Sequence, residues 1–354
     1  MRTVYRKYIC HRLLAGLAVS CCGLAAKSQE LNLAYFSEWQ TDFKRRANWI
    51  NMLQMEGSLN ISPGWSASLG TISVCKTYGG NMISDMLAYS NIEEENIAVA
   101  IDRLGVGLDK GKWSVFAGVG NVNGAFFMTP LTSLFTNSSC GIFPTISCNF
   151  SIANFPDASM GIEVQYKNNS VTANSAVYNG KGYHGFVGKD CVFRISPSSD
   201  GIFNINAVNY SKYGNNYNMG MGVHHGYSNG DEVGTQNPMQ TEITENKTTE
   251  IFYWIYVEQK IIPDVCVIAQ FSQCPGIQAG CRNFYGGGVA YTAKKFDVAL
   301  YSCYADFIDN YEWANELTFR YVLSSRIYLQ SSLHYIKNLA AEAVVGLFRM
   351  CVTI

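Results

Sequence analysis

Seven short turns punctuate this chain, at residues 62–64, 109–111, 168–170, 212–215, 262–264, 294–295 and at Ser325, and a longer connection lies between each consecutive pair. The segments that flank the turns alternate apolar and polar residues with a period of two, the signature of half-buried strands. Residues 160–180 are the clearest case. Ile162, Val164 and Tyr166 alternate with Glu163, Gln165 and Lys167; after the turn, Val171, Ala173, Ser175 and Val177 alternate with Thr172, Asn174 and Tyr178. A soluble sandwich has no reason to alternate short and long connections so regularly. A closed antiparallel barrel set in a bilayer does, with tight turns on one rim and long loops on the other.

The alternating segments run near 47–61, 65–76, 96–108, 112–122, 160–167, 171–178, 201–211, 216–225, 249–261, 265–274, 283–293, 296–306, 316–324, 326–337 and 341–354. The first hairpin turns on the short-turn rim, and the last strand must end there. Parity therefore requires one further strand, most simply within 31–43. The expected fold is all-β: a single transmembrane antiparallel β-barrel of about 16 strands. The connection at 181–200 has room for a short strand of its own. Faces agree with closure. Leu317, Phe319, Tyr321 and Leu323 oppose Thr318, Arg320 and Ser324, and Ile327, Leu329, Leu333 and Tyr335 oppose Tyr328, Gln330, Ser332 and His334.

Composition narrows the setting. Charged residues are 15% of the 354, against roughly 25% in soluble domains. Residues 1–28 read as a Sec signal peptide: Arg2, Arg6, Lys7 and Arg12 lead into an apolar run at 13–26, and Ala26-Lys27-Ser28 offers small residues for cleavage before Gln29. Neither Cys21 nor Cys22 has a Leu three residues upstream, which argues against lipid attachment there. Without the five bases of that leader, 21 basic residues face 27 acidic ones, a net charge of −6, which disfavours a nucleic-acid partner. After residue 28 no apolar run reaches the roughly 18 residues of a membrane helix. A membrane home must then be a barrel, because open sheet edges do not survive in lipid. The expected domains are the leader at 1–28 and one barrel at 29–354, exported to the outer membrane of a Gram-negative cell. The rival reading is a secreted or surface-anchored, non-conducting β-rich binding protein, with a dry core where the barrel has a lumen.

Residues 128–158 break the pattern. They form a stretch of about 30 residues without strand period, rich in Thr, Ser, Asn and Phe, and such a length is usually functional or disordered. A long loop inserted between alternating strands can fold into a lumen and narrow it. Sequence motifs flank this loop. The run Asn154-Phe155-Pro156-Asp157-Ala158-Ser159-Met160-Gly161-Ile162-Glu163-Val164-Gln165-Tyr166, the later Ala176-Val177-Tyr178-Asn179-Gly180, and Asp102-Arg103-Leu104 followed by Asn121-Val122-Asn123 and Phe135-Thr136-Asn137 resemble the OprB-type carbohydrate-selective porins. About 80 residues carry the resemblance by motif. It implies a 16-stranded barrel that passes sugars passively, with arginines, acids and aromatic rings at the constriction; here Asp157 is the only charge in the loop.

A sugar path needs polar groups for hydroxyls and ring faces for the apolar side of the sugar, held loosely enough to release it. Phe126, Phe127, Phe135 and Phe143, with Asp157, are the candidates in and beside the loop. Arg103, Glu163, Gln165, Asn174, Tyr178, Asn204, Asn206, Arg320, Tyr328, Gln330 and His334 are the candidates on the inward wall. The bland alternative is that the polar groups merely wet a lumen and the rings pack the loop to the wall. No cofactor or metal is expected: His224 and His225 are adjacent in a strand and so point to opposite faces. No nucleophile elbow, P-loop or zincin motif occurs, so the chain is not read as an enzyme. Nine cysteines follow the leader; Cys140 with Cys148, or Cys274 with Cys281, could close small loops in an oxidising compartment, or all nine are small apolar fillers. The expected partners are the bilayer and sugars or other small hydrophilic solutes, with the chain a homotrimer or a monomer.

Overall fold

The computed structural model describes residues 30–77, 82–226 and 247–354. The strands are β1 (Glu30–Thr41), β2 (Ala47–Ser62), β3 (Trp65–Lys76), β4 (Ile97–Lys110), β5 (Trp113–Gly120), β6 (Ser159–Lys167), β7 (Val171–Asn179), β8 (Phe186–Val187), β9 (Asp190–Cys191), β10 (Ile202–Lys212), β11 (Asn215–Gly226), β12 (Thr248–Ile262), β13 (Val265–Gln273), β14 (Cys281–Thr292), β15 (Phe296–Phe307), β16 (Tyr311–Ser324), β17 (Ile327–Asn338) and β18 (Glu342–Thr353). Sixteen of them form one closed antiparallel barrel in which each strand pairs with its chain neighbour and β1 pairs with β18. β8 and β9 are a separate two-stranded hairpin within the connection from β7 to β10, where a short strand was expected. The strand expected within 31–43 is β1, and it supplies the even count.

Closure follows from turn chemistry and register. Gly64 and Gly214 sit in the short turns at φ of 80° and 79°, a left-handed backbone that suits glycine. Across the seam, Ser37 faces Met350 and Trp39 faces Phe348, so the outward faces of β1 and β18 meet in phase. The outer surface is apolar: Leu53, Ile162, Met219, Ile255, Leu317 and Leu333 are all exposed. Aromatic rings collect near both rims, with Trp39, Trp49 and Trp313 towards the long loops and Trp65, Trp113 and Tyr321 towards the short turns. From Trp313 to Tyr321 is about 27 Å of strand at ~3.4 Å per residue, near the roughly 25 Å apolar band of membrane barrels before tilt is allowed for.

One strand is longer than its sequence pattern. β16 begins at Tyr311, five residues before the expected start, because Glu312, Ala314 and Glu316 take the inward positions and are buried, which hides the apolar alternation. Two inward candidates face the other way. On β10 the inward side chains are Phe203, Ile205 and Ala207, so Asn204 and Asn206 lie on the outer face, where the Asn206 amide donates to Asn204 Oδ1 at 2.7 Å and Ser175 Oγ donates to Asn206 Oδ1 at 2.7 Å. The apolar set won the interior because this sector of the lumen is filled. All nine cysteines of the described residues are free thiols, and five of them are buried.

Candidate functional site

The connection from β5 to β6 folds inside the barrel as a chain of single turns: a π-helical turn at Asn123–Phe127, 3-10 turns at Thr132–Leu134 and Ser138–Cys140, and one α-helical turn at Pro144–Ser147. So irregular a backbone, once buried, must find partners for its N–H groups outside itself. Carboxylates of the wall supply them. Glu258 on β12 accepts from the Leu131 N–H (2.9 Å) and the Thr129 hydroxyl (2.6 Å). Glu316 on β16 accepts from the N–H groups of Thr136 (2.9 Å) and Asn137 (3.0 Å) and from the Ser332 hydroxyl. Glu312 does the same for a second inserted loop, accepting from the N–H groups of Met86 (2.8 Å) and Leu87 (3.0 Å). Wall amides complete the set: Gln330 donates to the Leu134 carbonyl at 2.7 Å and Gln270 to the Cys140 carbonyl at 2.8 Å. Hydrogen bonds to charged groups contribute about 1.5–3 kcal/mol each, so the loop is held as a fixed partition.

Rings fill the space behind that partition. Phe127 and Phe143 meet Trp254 with centroids 5.3 and 6.2 Å apart, Phe143 meets Phe284 at 5.9 Å, Phe135 meets Tyr301 at 5.2 Å, and Phe150 stacks on His224 at 4.5 Å. The phenylalanines, Trp254 and Tyr301 belong to one buried cluster that joins the loop to the inner faces of β10 and β12–β15. That half of the lumen is dry.

The other half is open. A cavity of about 610 Å³ lies between the loop and the wall formed by β1–β4, β6, β17 and β18. Its wall contributes Gln54, Glu56, Asp102, Arg103, Glu163 and Gln165, with Tyr328 and Arg349 on the far side; the loop contributes Asn121, Asn123, Ser133, Asn137 and Asn154, and Phe36, Phe127 and Phe155 supply ring faces. Arg103 and Glu163 form a forked ion pair at 3.3 Å, the guanidinium lying 3.7 Å over the Phe116 ring. Tyr178, itself buried, donates its hydroxyl to Glu163 at 2.9 Å and so orients that carboxylate.

The residues singled out from sequence are not all brought together. Arg103, Glu163, Gln165, Tyr328 and Phe127 line the cavity. Asn174, Tyr178 and Arg320 stand behind it: Asn174 donates to the Ala125 carbonyl at 2.5 Å, and Arg320 pairs with Asp297 at 2.8 Å while lying 5.4 Å from the Tyr328 ring centre. Phe126, Phe135 and Phe143 are 3%, 1% and 1% exposed, and they fasten the loop to the wall and to itself without lining the cavity. Gln330 and His334, candidates for the inward wall of the solute path, instead bond the loop, His334 meeting the Thr136 hydroxyl at 2.9 Å. Asp157 lies outside the cavity and pairs with His184 at 2.7 Å. Glu56, Asp102, Gln54 and Arg349 line the cavity without having been singled out; Gln54, Glu56 and Arg349 are polar residues at inward positions of β2 and β18, which is the signal available in the sequence, whereas Asp102, the neighbour of inward Arg103, reaches the cavity at a bulge between β3 and β4 that alternation does not show.

No protein-family model matches the chain, and no curated protein matches it in sequence. Solved structures do match in fold. OprB of Pseudomonas putida, in a low-pH structure, aligns over 96% of this chain and 96% of its own at 12% identity, with a TM-score of 0.59. The anion-selective porin of Comamonas acidovorans aligns over 92% and 99% at 13% identity and 0.60. A loop-deletion variant of OmpT, an outer-membrane protein of Vibrio cholerae, aligns over 92% and 98% at 8% identity and 0.60. The architecture expected from the motifs, the 16-stranded porin barrel, is therefore the architecture of this chain.

Proposed function

We propose that this chain is an outer-membrane porin through which sugars or other small hydrophilic solutes diffuse passively. The observation that carries the reading is the half-filled lumen: a closed barrel with an apolar outer belt encloses a cavity walled on one side by polar strand residues and on the other by a pinned loop. The cavity's volume of about 610 Å³ lies within the roughly 300–1,000 Å³ of small-molecule sites. Amides are the most numerous polar groups of its lining, from Gln54 and Gln165 on the wall to Asn121, Asn123, Asn137 and Asn154 on the loop, and Phe127, Phe155 and Tyr328 offer ring faces among them. Amides donate to and accept from sugar hydroxyls, and rings meet the apolar face of a pyranose. In this reading the protein makes no bond and takes no cofactor. Residues 1–28, which lie outside the described residues, serve as the export leader, and the mature barrel at 29–354 works as a homotrimer or a monomer.

The test is conductance. Purified mature protein inserted in a planar bilayer is expected to give single-channel steps, and added maltose or glucose is expected to reduce the current. Steps indifferent to both sugars would remove the carbohydrate assignment and leave a general porin. Folded protein that gives no steps would overturn the channel reading in favour of the non-conducting binding protein.

A further inference from the structure

We infer that the lumen favours small cations over anions, and that Glu56 and Asp102 set this preference. The inference rests on the channel reading above and deepens it by naming a solute class. Among the described residues, the cavity lining carries five charged side chains: Glu56, Asp102, Glu163, Arg103 and Arg349. Both cations are already neutralised. Arg349 gives its Nε and Nη2 to Glu38 at 2.6 and 2.5 Å, and Glu38 is fully buried behind the lining. Arg103 is bound to Glu163 through three contacts of 3.3 Å. What remains is two carboxylates without an ion pair. Among the described residues, the side-chain partner of Glu56 is the Gln54 amide at 2.9 Å. Asp102 is 7% exposed, and one of its carboxylate oxygens has no hydrogen-bond partner.

Their placement makes them act together. On β3, Gly70 is opposite Glu56 of β2 on one side and opposite Arg103, the neighbour of Asp102, on the other. A Cβ on Gly70 would lie 2.3 Å from Asp102 Oδ1, so the missing side chain is what gives the Asp102 carboxylate its place. No side chain intervenes on β3 between the two acids. The loop across the cavity brings no positive charge to meet them, because its only charged residue is an acid, Asp157, which pairs with His184 outside the cavity. Two uncompensated negative charges in a narrow cleft with low-dielectric walls attract cations and repel anions, and the walls focus the field. A carboxylate about 5 Å from an ion's path in a water-like medium changes its local concentration on the order of fourfold, so the two together weigh cations on the order of tenfold.

The experiment is a reversal-potential measurement on the full mature protein in a planar bilayer, under a tenfold KCl gradient. The expected result is a potential of the sign that marks K⁺ as more permeant than Cl⁻. The Glu56→Gln variant, a near-isosteric change at an exposed side chain, should lower the permeability ratio several-fold. The Glu56→Gln, Asp102→Asn double variant should bring it close to one while single-channel steps persist. A wild-type potential near zero or of the chloride sign would overturn the inference and leave the porin standing, as would a double variant that keeps the wild-type ratio. If the double variant does not fold, Glu56→Gln alone decides, and an unchanged ratio in it overturns the assignment. Absence of any steps from folded wild-type protein would defeat the channel reading and this inference with it.

Discussion

Single residues decide which half of the lumen is open. Period-two alternation assigns a side chain to one face of a strand, but it says nothing of what occupies the space that face looks into. Arg103, Glu163, Gln165 and Tyr328 were legible as lumen residues and line the cavity, whereas Gln330 and His334, equally polar and equally inward, are consumed by the loop. Asn204 and Asn206 misread for a related reason: with Phe203 and Ile205 buried against a filled sector, the apolar set lies inside and the polar set outside. Residue chemistry also makes the mouth sensitive to pH. Asp85, in the inserted loop between β3 and β4, is pushed up to about 7, first by burial and then by the charges of Glu312 and Glu93, while the Tyr89 N–H donated to it opposes the shift. A carboxyl whose pKa is higher folded than unfolded stabilises the fold fully at low pH, and that contribution is lost as pH rises from about 4 through about 7. Protection of residues 82–96 against hydrogen exchange, taken relative to the intrinsic exchange rate at each pH, should therefore fall across that range, and Asp85→Asn should remove the fall; a protection profile unchanged by the substitution would count against this account.

At the scale of elements, the strands were readable almost to their ends, because sixteen half-apolar faces each had to meet a neighbour in register. The loop was readable only as a gap in that pattern. Its turns are too short to carry a period, and its order comes from carboxylates and rings more than a hundred residues away, such as Glu258 at Leu131 and Glu316 at Thr136. The strands in turn are shaped for it. Trp254 and Phe252 on β12 lie flat across Gly220 and Gly222 of β11, where an added Cβ would come within 2.1 and 2.4 Å of the rings. Gly220→Ala should displace Trp254 from Phe127 and Phe143, cost about 1–3 kcal/mol as overpacking does, and loosen the partition. The urea midpoint of the folded protein in detergent should fall and the scatter of single-channel conductance should widen; an unchanged midpoint would mean that the rings repack freely.

Across the whole molecule, the barrel is held shut at the seam between its first and last strands. Glu38 of β1 and Arg349 of β18 form the buried pair there, with the Ser90 hydroxyl and the Gln40 amide also donating to Glu38. Arg349→Ala would leave a fully buried carboxylate without its counter-charge, a loss of about 3–5 kcal/mol, and should lower the temperature at which the folded form unfolds in detergent. Arg349→Met should cost nearly as much if the lost charge is the reason, and much less if packing alone matters. The pairing of β1 with β18 also sets an order of events. The partners Glu38 and Arg349 are 311 positions apart, so bringing them together costs about 5 kcal/mol of chain entropy beyond a constant, unless the intervening hairpins have formed first. Hairpins that join neighbours in the chain are quick to form, and contacts of such long range are slow. Until β18 docks on β1, the assembling sheet carries two raw edges, each able to pair with any other exposed strand. The final step of folding is thus the one in which the protein stops being a template for its own aggregation.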